Sequence, residues 1–233
     1  MRPTALTESE QGELLSWTQA AIESGQHKLS RGYQGQVLLY QDGDRALVIK
    51  APPRSLYRWL SIRMLRREAR VYEQLEGIEG IPRCLGLLGG RFLVLEYIPG
   101  DSLRHAQIPD PADFFQRLLR IIRRMHAAGV GHADLKRKDN ILVDEQGRPW
   151  VIDFGVATLR RRGWRPINRF LFNTARRFDL NAWVKHKYRR RLDQVDERDR
   201  RYLHYTWMER WGRRIKQFWR KLTGPRIRER DRR

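Results

Sequence analysis

Cysteine is almost missing from this chain: Cys84 is the one example in 233 residues. That excludes an internal disulfide framework and fits a reducing compartment. Long apolar runs are missing as well, and no stretch approaches the ~20 residues that a membrane-spanning helix needs. The opening segment, residues 1–17, is acidic and lacks the uninterrupted apolar core of a signal peptide. The expected location is therefore cytoplasmic. There is no Gly/Ser-rich linker and no internal repeat. Acids are scarce at one end: residues 160–233 hold 26 Lys/Arg against 8 Asp/Glu, a net +18, whereas residues 1–159 hold 22 against 19, a net +3. This asymmetry suits an anionic partner, whether nucleic acid, acidic membrane surface or phosphorylated substrate; the plainer reading is a solvated basic face. Against these absences stand a hydrophobic content of 40% and eight Trp. They suffice for one substantial core, or for two lobes sharing a cleft.

Local patterns set the organisation. Leu6–Ile22 reads as a helix capped by Thr7 or Ser9. Leu29–Tyr40 reads as two strand pieces around glycines, and Ala46-Leu47-Val48-Ile49 as a strand ending at Lys50. A helix is expected over 55–75, with Trp59, Ile62, Leu65, Ala69, Tyr72 and Leu75 at three- and four-residue spacing. Strands follow near Arg83–Leu88 and Phe92–Ile98 about a Gly89-Gly90 hairpin turn, and Pro99-Gly100 ends the second. The next helix, Pro111–Ala128, points Phe114, Leu118, Ile121, Ile122 and Met125 inward, and Gly129 lies past its end. Strands at 141–144 and 149–153 complete this half.

Two stretches carry the chemistry: Gly131-His132-Ala133-Asp134-Leu135-Lys136, leading into Asn140-Ile141-Leu142-Val143, and Val151-Ile152-Asp153-Phe154-Gly155. An acid on a loop, an Asn opening a strand and a second acid closing the next strand are what phosphoryl transfer from a metal-bound nucleotide requires. Asp134 would orient the acceptor hydroxyl and take its proton, and Lys136 would neutralise the transferring group. Asn140 and Asp153 offer the hard oxygen donors that magnesium takes. His132 reads as a packing residue behind the loop. Upstream, Ser30–Val37 fits a glycine-rich phosphate cover, in which Gly32 and Gly35 let backbone N–H groups approach phosphate and Val37 follows. Lys50 can bridge two phosphates if an acid on the next helix holds it. Glu68 is the choice, because it shares a side with Leu65, Ala69 and Tyr72; Glu73 and Glu76 are its rivals. Phe92–Gly100 fits a strand and hinge whose backbone, the Glu96 carbonyl and the Ile98 N–H, would meet a base edge.

In this order the pieces, over roughly residues 29–160, resemble the protein-kinase-like superfamily. Within it the chain is similar to small bacterial atypical kinases, the lipopolysaccharide-core sugar kinases of Kdo or heptose type and the RIO-like kinases, which also write His-Ala-Asp-Leu or His-Gly-Asp-Leu and then Asn-Ile-Leu. The resemblance implies an α+β, bilobal fold with a reduced, helical C-lobe, and ATP with Mg2+ as cofactors. Its expected parts are an N-terminal helical extension (1–28), an N-lobe (29–100) and a C-lobe (101–233). Four departures stand out. Ala133 replaces the usual Arg, which speaks against control by a phosphorylated segment. Asn140 lies six positions after Asp134 instead of five, so Asp139 competes as a metal ligand. No Ala-Pro-Glu follows Asp153-Phe154-Gly155, so the platform for protein substrates is missing. Only about 75 residues follow that motif.

Beyond it, Leu203, Trp207, Trp211, Ile215, Phe218 and Leu222 step by three or four, a helical stripe among arginines and lysines. It reads first as the docking face of a last helix and second as an interfacial helix on anionic lipid, with Arg226–Arg233 a disordered end. Arg160-Arg161-Arg162-Gly163-Trp164-Arg165 is a candidate contact for an acidic substrate. The leading expectation is a kinase acting on a sugar of a lipopolysaccharide-core-type glycolipid, peripheral to the cytoplasmic membrane face. A RIO-like serine/threonine protein kinase comes second. A non-catalytic module that binds nucleic acid or anionic lipid comes last.

Overall fold

The computed structural model describes residues 6–32, 35–43, 45–53, 58–189 and 191–203, with backbone alone at 30–32 and 35. Of the predicted stripe only Leu203 is described, packed against the core; Trp207 to Leu222 and the predicted disordered end Arg226–Arg233 lie outside the described residues.

Thr7, one of the two predicted caps, opens α1 (Glu8–Ser24). Its hydroxyl accepts from the Glu10 N–H, while the Glu10 carboxylate accepts from the Thr7 N–H at 2.8 Å. Each side chain satisfies a donor that the helix start leaves orphaned. Strands β1 (Lys28–Gly32), β2 (Gly35–Asp42) and β3 (Arg45–Ala51), helix α2 (Arg58–Gln74), and strands β4 (Cys84–Leu88) and β5 (Phe92–Glu96) follow. The strands form one antiparallel sheet in the order β1-β2-β3-β5-β4. Alternation along β3 sorts its residues between the two faces. Leu47, Ile49 and Ala51 join Leu14 and Ala21 of α1 in one core, while Val48 packs into the second, larger core with Leu65 and Tyr72 of α2. Lys50, two residues on from Val48, is thereby aimed at α2.

Trp59 departs from the inward stripe expected of α2: it is 63% exposed. The helix packs on β4 and β5, and its buried residues run only from Leu65 to Tyr72. Its first turn reaches past that contact.

The second half contains β6 (Gly100–Ser102), α3 (Pro111–Ala127), β7 (Val130–Gly131), β8 (Ile141–Asp144), β9 (Pro149–Val151), β10 (Thr158–Leu159), α4 (Pro166–Lys187) and the short α5 (Glu197–Arg200). Where the sequence predicts that Pro99-Gly100 only ends a strand, Gly100 begins β6, which pairs with β8. The pairing is close enough that a Cβ at Gly100 would sit 2.2 Å from the Val143 carbonyl oxygen, and the residue's φ of 149° suits glycine. Asp110 caps α3 by accepting from the Ala112 and Asp113 N–H groups. Phe114, Leu118, Ile121, Ile122 and Met125 are all buried as expected. The β9 ladder stops at Val151, two residues short of the predicted strand end, because Asp153 turns into left-handed backbone at φ 66°. The larger core runs from α2 and β5 through α3, Leu135, Val151 and Phe154 to Ala182 and Trp183 of α4. It holds both halves against one seam, and the chemistry-bearing loops emerge there. No helix among the described residues is long and apolar enough to cross a membrane.

Candidate active site

Lys50 is the centre of the arrangement. Its Nζ lies 2.6 Å from Glu68 Oε1 and 2.8 Å from Asp153 Oδ1. Glu68 is 3% exposed, and the same Oε1 accepts from the Phe154 N–H at 3.1 Å, so one carboxylate fixes both the lysine and the Asp153-Phe154 turn. Glu68, the favoured of the three acids of α2, is thus the one that meets Lys50. Burial works against the Lys50 charge, but the Glu68 and Asp153 carboxylates outweigh it and hold the ammonium above the ordinary lysine range. Burial likewise raises the Asp153 carboxyl, yet the adjacent Lys50 prevails and keeps it below the usual carboxylate range.

Phe154 anchors the turn from beneath. Its ring is buried, packing edge-on to Tyr72 at 5.0 Å and tilted against His132 at 4.8 Å. The Tyr72 hydroxyl accepts from the Asp153 N–H at 3.3 Å. These contacts keep Asp153 in a backbone conformation that non-glycine residues seldom adopt.

The catalytic-loop candidates approach from the other side. His132 is buried, with Nε2 2.9 Å from the Ile152 carbonyl, while its Nδ1 accepts from the Asp134 N–H at 3.3 Å. Because a backbone N–H can only donate, the ring carries its proton on Nε2. The Ile152 N–H in turn donates to the Asn140 carbonyl at 3.0 Å. The loop and the Asp153 turn are therefore stitched together on either side of Ile152. Asn140 is buried, and its amide nitrogen donates to the Asp134 carbonyl at 3.1 Å and lies 3.5 Å from Asp134 Oδ2. Asp139 turns the other way, into a two-pronged pair with Arg104 at 2.8 Å for each bond, which lowers its carboxyl below the ordinary range. Lys136 is 80% exposed at its side chain, with Nζ 3.9 Å from Asp134 Oδ1.

The remaining predicted positions flank this cluster. Val37 is in register with Lys50 across β2 and β3. Gly32 and Gly35 face each other at the β1–β2 turn, whose Tyr33 and Gln34 lie outside the described residues. Glu96 closes β5 opposite Leu47, with its carboxylate on the Arg83 N–H at 3.1 Å. Ile98 is buried, and among the described residues its N–H has no backbone partner.

Asp179 is the residue that sequence reasoning missed. It sits fully buried on α4 and takes three donors: the His132 N–H and the Ala133 N–H at 2.8 Å each, and His126 Nε2 at 3.0 Å. Ala133 holds φ 69°, so the carboxylate clamps a strained stretch of backbone immediately before Asp134. A signal was there to be read. Asp179 is the lone acid between Asp153 and Asp193, and it falls on the apolar Phe172, Ala175, Ala182 face.

The donor set suits a hard divalent cation. The Asn140 amide bonds to Asp134 through its nitrogen and not its oxygen, and Asp153 commits one oxygen to Lys50. Among the described residues there is no cluster of three His, Cys, Asp or Glu. Such a cation would therefore meet Asn140 and Asp153 together with phosphate and water.

Comparison with known proteins follows the same lines. A family model described as the protein kinase domain matches residues 24–173. The chain is 35% identical over 111 residues to the 3-deoxy-D-manno-octulosonic acid kinase of Xanthomonas campestris pv. campestris, a stretch covering 47% of this chain and 41% of that protein. It is 33% identical over 111 residues to CBL-interacting protein kinase 16 of Oryza sativa subsp. japonica, covering 42% and 23% respectively. The match thus takes in less than half the length of these relatives. Among solved structures it is similar to the Rio2 kinase of Chaetomium thermophilum in its ADP/Mg2+-phosphoaspartate complex, at a TM-score of 0.53 and 19% identity, covering 87% of this chain and 69% of that one. At that identity the likeness shows a shared fold.

Proposed function

This chain belongs to the protein kinase family, and from that premise we propose that it transfers the γ-phosphoryl group of ATP, with Mg2+, to a sugar hydroxyl of a lipopolysaccharide-core-type glycolipid. The observation that carries the phosphotransferase reading is the Lys50 bridge between Glu68 and Asp153, with Asp134 and Asn140 tied to the same turn. Lys50 pairs with phosphate oxygens as a point charge, and Glu68 keeps it aimed. Asn140 and Asp153 are the residues to hold magnesium, which when bound screens the phosphate charge. Asp134 orients the acceptor hydroxyl and receives its proton. Lys136, exposed at the mouth of the cleft, meets the transferring group or the acceptor. The backbone at Glu96 and Ile98 receives the base, and the Gly32–Gly35 turn covers the phosphates.

Support for a sugar acceptor comes from the likeness to the Xanthomonas sugar kinase and from the short span after Asp153. Only residues 154–165 separate it from α4, and no Ala-Pro-Glu platform for a protein substrate follows. Such an acceptor would be met at the cytoplasmic face of the membrane. The second reading is a serine/threonine protein kinase of RIO-like kind; the likeness to the rice protein kinase favours its protein acceptor. Incubation of the purified protein with labelled ATP, Mg2+ and either core oligosaccharide or casein separates the two. Label on the oligosaccharide supports the first reading, and label on casein alone replaces it with the second.

A further inference from the structure

The first half of α4 carries an apolar face that, among the described residues, is left uncovered. Trp164, just before the helix, is 93% exposed, and Ile167, Phe170 and Leu171 are 76%, 68% and 51% exposed. With Phe178, also exposed, the helical members fall within an arc of about 100° on a helix of 3.6 residues per turn. The buried face of the same helix, Phe172, Ala175, Asp179 and Ala182, lies beside that arc. An apolar stripe next to an already buried one is more than α4 needs to dock on its own lobe. The charge around it is one-sided. Residues 154–178 contain seven arginines and no acid, and Arg161, Arg162, Arg165, Arg169 and Arg177 are all exposed.

We propose that this face of α4 is a docking surface for a bilayer containing anionic phospholipid. Trp and Phe at headgroup depth, bulky aliphatics beside them and a rim of arginine form the chemistry of an interfacial helix. A protein partner acidic enough to match seven arginines would leave the apolar stripe short of complement, whereas an anionic bilayer offers both parts at once. The placement is also useful. Asp179 on α4 holds the His132–Ala133 backbone beside Asp134, and Ile167 lies twelve residues away, about 18 Å along the helix. A surface resting on α4 therefore brings lipid headgroups within reach of the acceptor side of the cleft. That usefulness rests on the glycolipid reading; the docking itself does not.

The test is flotation of the full-length protein with vesicles of phosphatidylcholine alone or mixed with phosphatidylglycerol, at low and high salt. Binding is expected only to the anionic vesicles and should weaken in salt. Ile167→Ser/Phe170→Ser/Leu171→Ser should lose about tenfold or more of that binding, while its melting temperature and its phosphorylation of soluble core oligosaccharide match the parent. Trp207→Ser/Trp211→Ser, made in the full chain, controls for the other basic, aromatic segment. The proposal is overturned if the α4 variant floats like the parent, or if only the Trp207/Trp211 variant loses binding. It is equally overturned if Arg161→Ala/Arg162→Ala/Arg169→Ala abolishes binding to RNA and leaves vesicle binding unchanged. A protein that floats but leaves the oligosaccharide unlabelled refutes the acceptor reading alone; one that labels it and does not float refutes the docking alone.

Discussion

Asp179 is the sharpest place to test how the fold serves the chemistry. Its carboxylate is fully buried and accepts from two backbone N–H groups and one imidazole. Asp179→Ala leaves those donors without an acceptor in a dry site, and each orphaned buried donor costs about 1–3 kcal/mol. Allowing for partial relaxation, the loss should be about 3–5 kcal/mol. For a chain of this size that lowers the melting temperature by roughly 10 °C. Asp179→Asn is the more telling change. Oδ1 faces the Ala133 N–H, while Oδ2 faces both the His132 N–H and His126. An amide must therefore set its NH2 against one donor, so the isosteric variant should still lose about 2 kcal/mol. Its transfer rate should fall with little change in KM for ATP, because the residue holds the Asp134 loop and does not touch Lys50. Thermal melts and steady-state kinetics of both variants check this. An Asp179→Asn protein with parental melting temperature and kcat would refute the clamp.

Asp134→Asn should reduce transfer by about a thousandfold or more, the range expected for a lost general base, while calorimetry finds ATP affinity unchanged; undiminished turnover removes Asp134 from its role. Gly131 is buried, and a Cβ there would sit 2.7 Å from the Ala175 Cβ. Gly131→Ala should therefore push α4 from β7 at a cost of about 1–3 kcal/mol, read by denaturant titration. The Lys50–Asp153 pair predicts a pH window. The Asp153 carboxyl is depressed on folding, so its contribution is present above its unfolded value near pH ~4 and fades as acid protonates it. Lys50 is raised, so its contribution is present below its unfolded value near pH ~10.4 and fades only above that. The stability gap between the parent and Lys50→Met should be flat from about pH 5 to 9 and narrow in stronger acid. A gap that varies across neutral pH would contradict the assignment.

The parts of this site legible from sequence are those in which local pattern dictates direction. Strand alternation with Val48 and buried Leu47 and Ile49 aims Lys50 at α2, and helical spacing with Leu65, Ala69 and Tyr72 puts Glu68 there to meet it. The different surroundings of Asp139 and Asn140 could not be read that way. Arg104, thirty-five residues upstream, pairs with Asp139, while Asn140 bonds to Asp134. Trp59 kept the spacing of a buried residue but lies beyond the reach of the sheet, so periodicity misplaced it. β6 was hidden because a Pro-Gly pair reads as a stop, and only the partner strand β8 makes Gly100 a pairing residue. Asp179 could be marked as a buried acid, but what it holds was hidden for the same reason: its backbone partners lie about fifty residues away, and no side-chain motif marks them.

One consequence concerns control. In the span after Asp153, β10 pairs with β7, the Arg160 N–H donates to the Gly129 carbonyl at 2.7 Å, and Asn168 bridges the Leu159 carbonyl and the Arg161 N–H. A segment this short and this tied needs no further charge to order it. A phosphate added there would also find Ala133, not an arginine, next to Asp134, so no cation at that position of the catalytic loop would draw it toward Asp134. The turn itself is already drawn in: the Phe154 ring is buried against Tyr72 and its N–H is bonded to Glu68. Protein freed of phosphate by phosphatase should therefore transfer phosphate at the same initial rate as untreated protein, with no lag in the progress curve. A lag that shortens after pre-incubation with ATP would mean that the segment has to be modified first, and that the tethers seen between β10, Gly129 and Asn168 do not hold it in the working position.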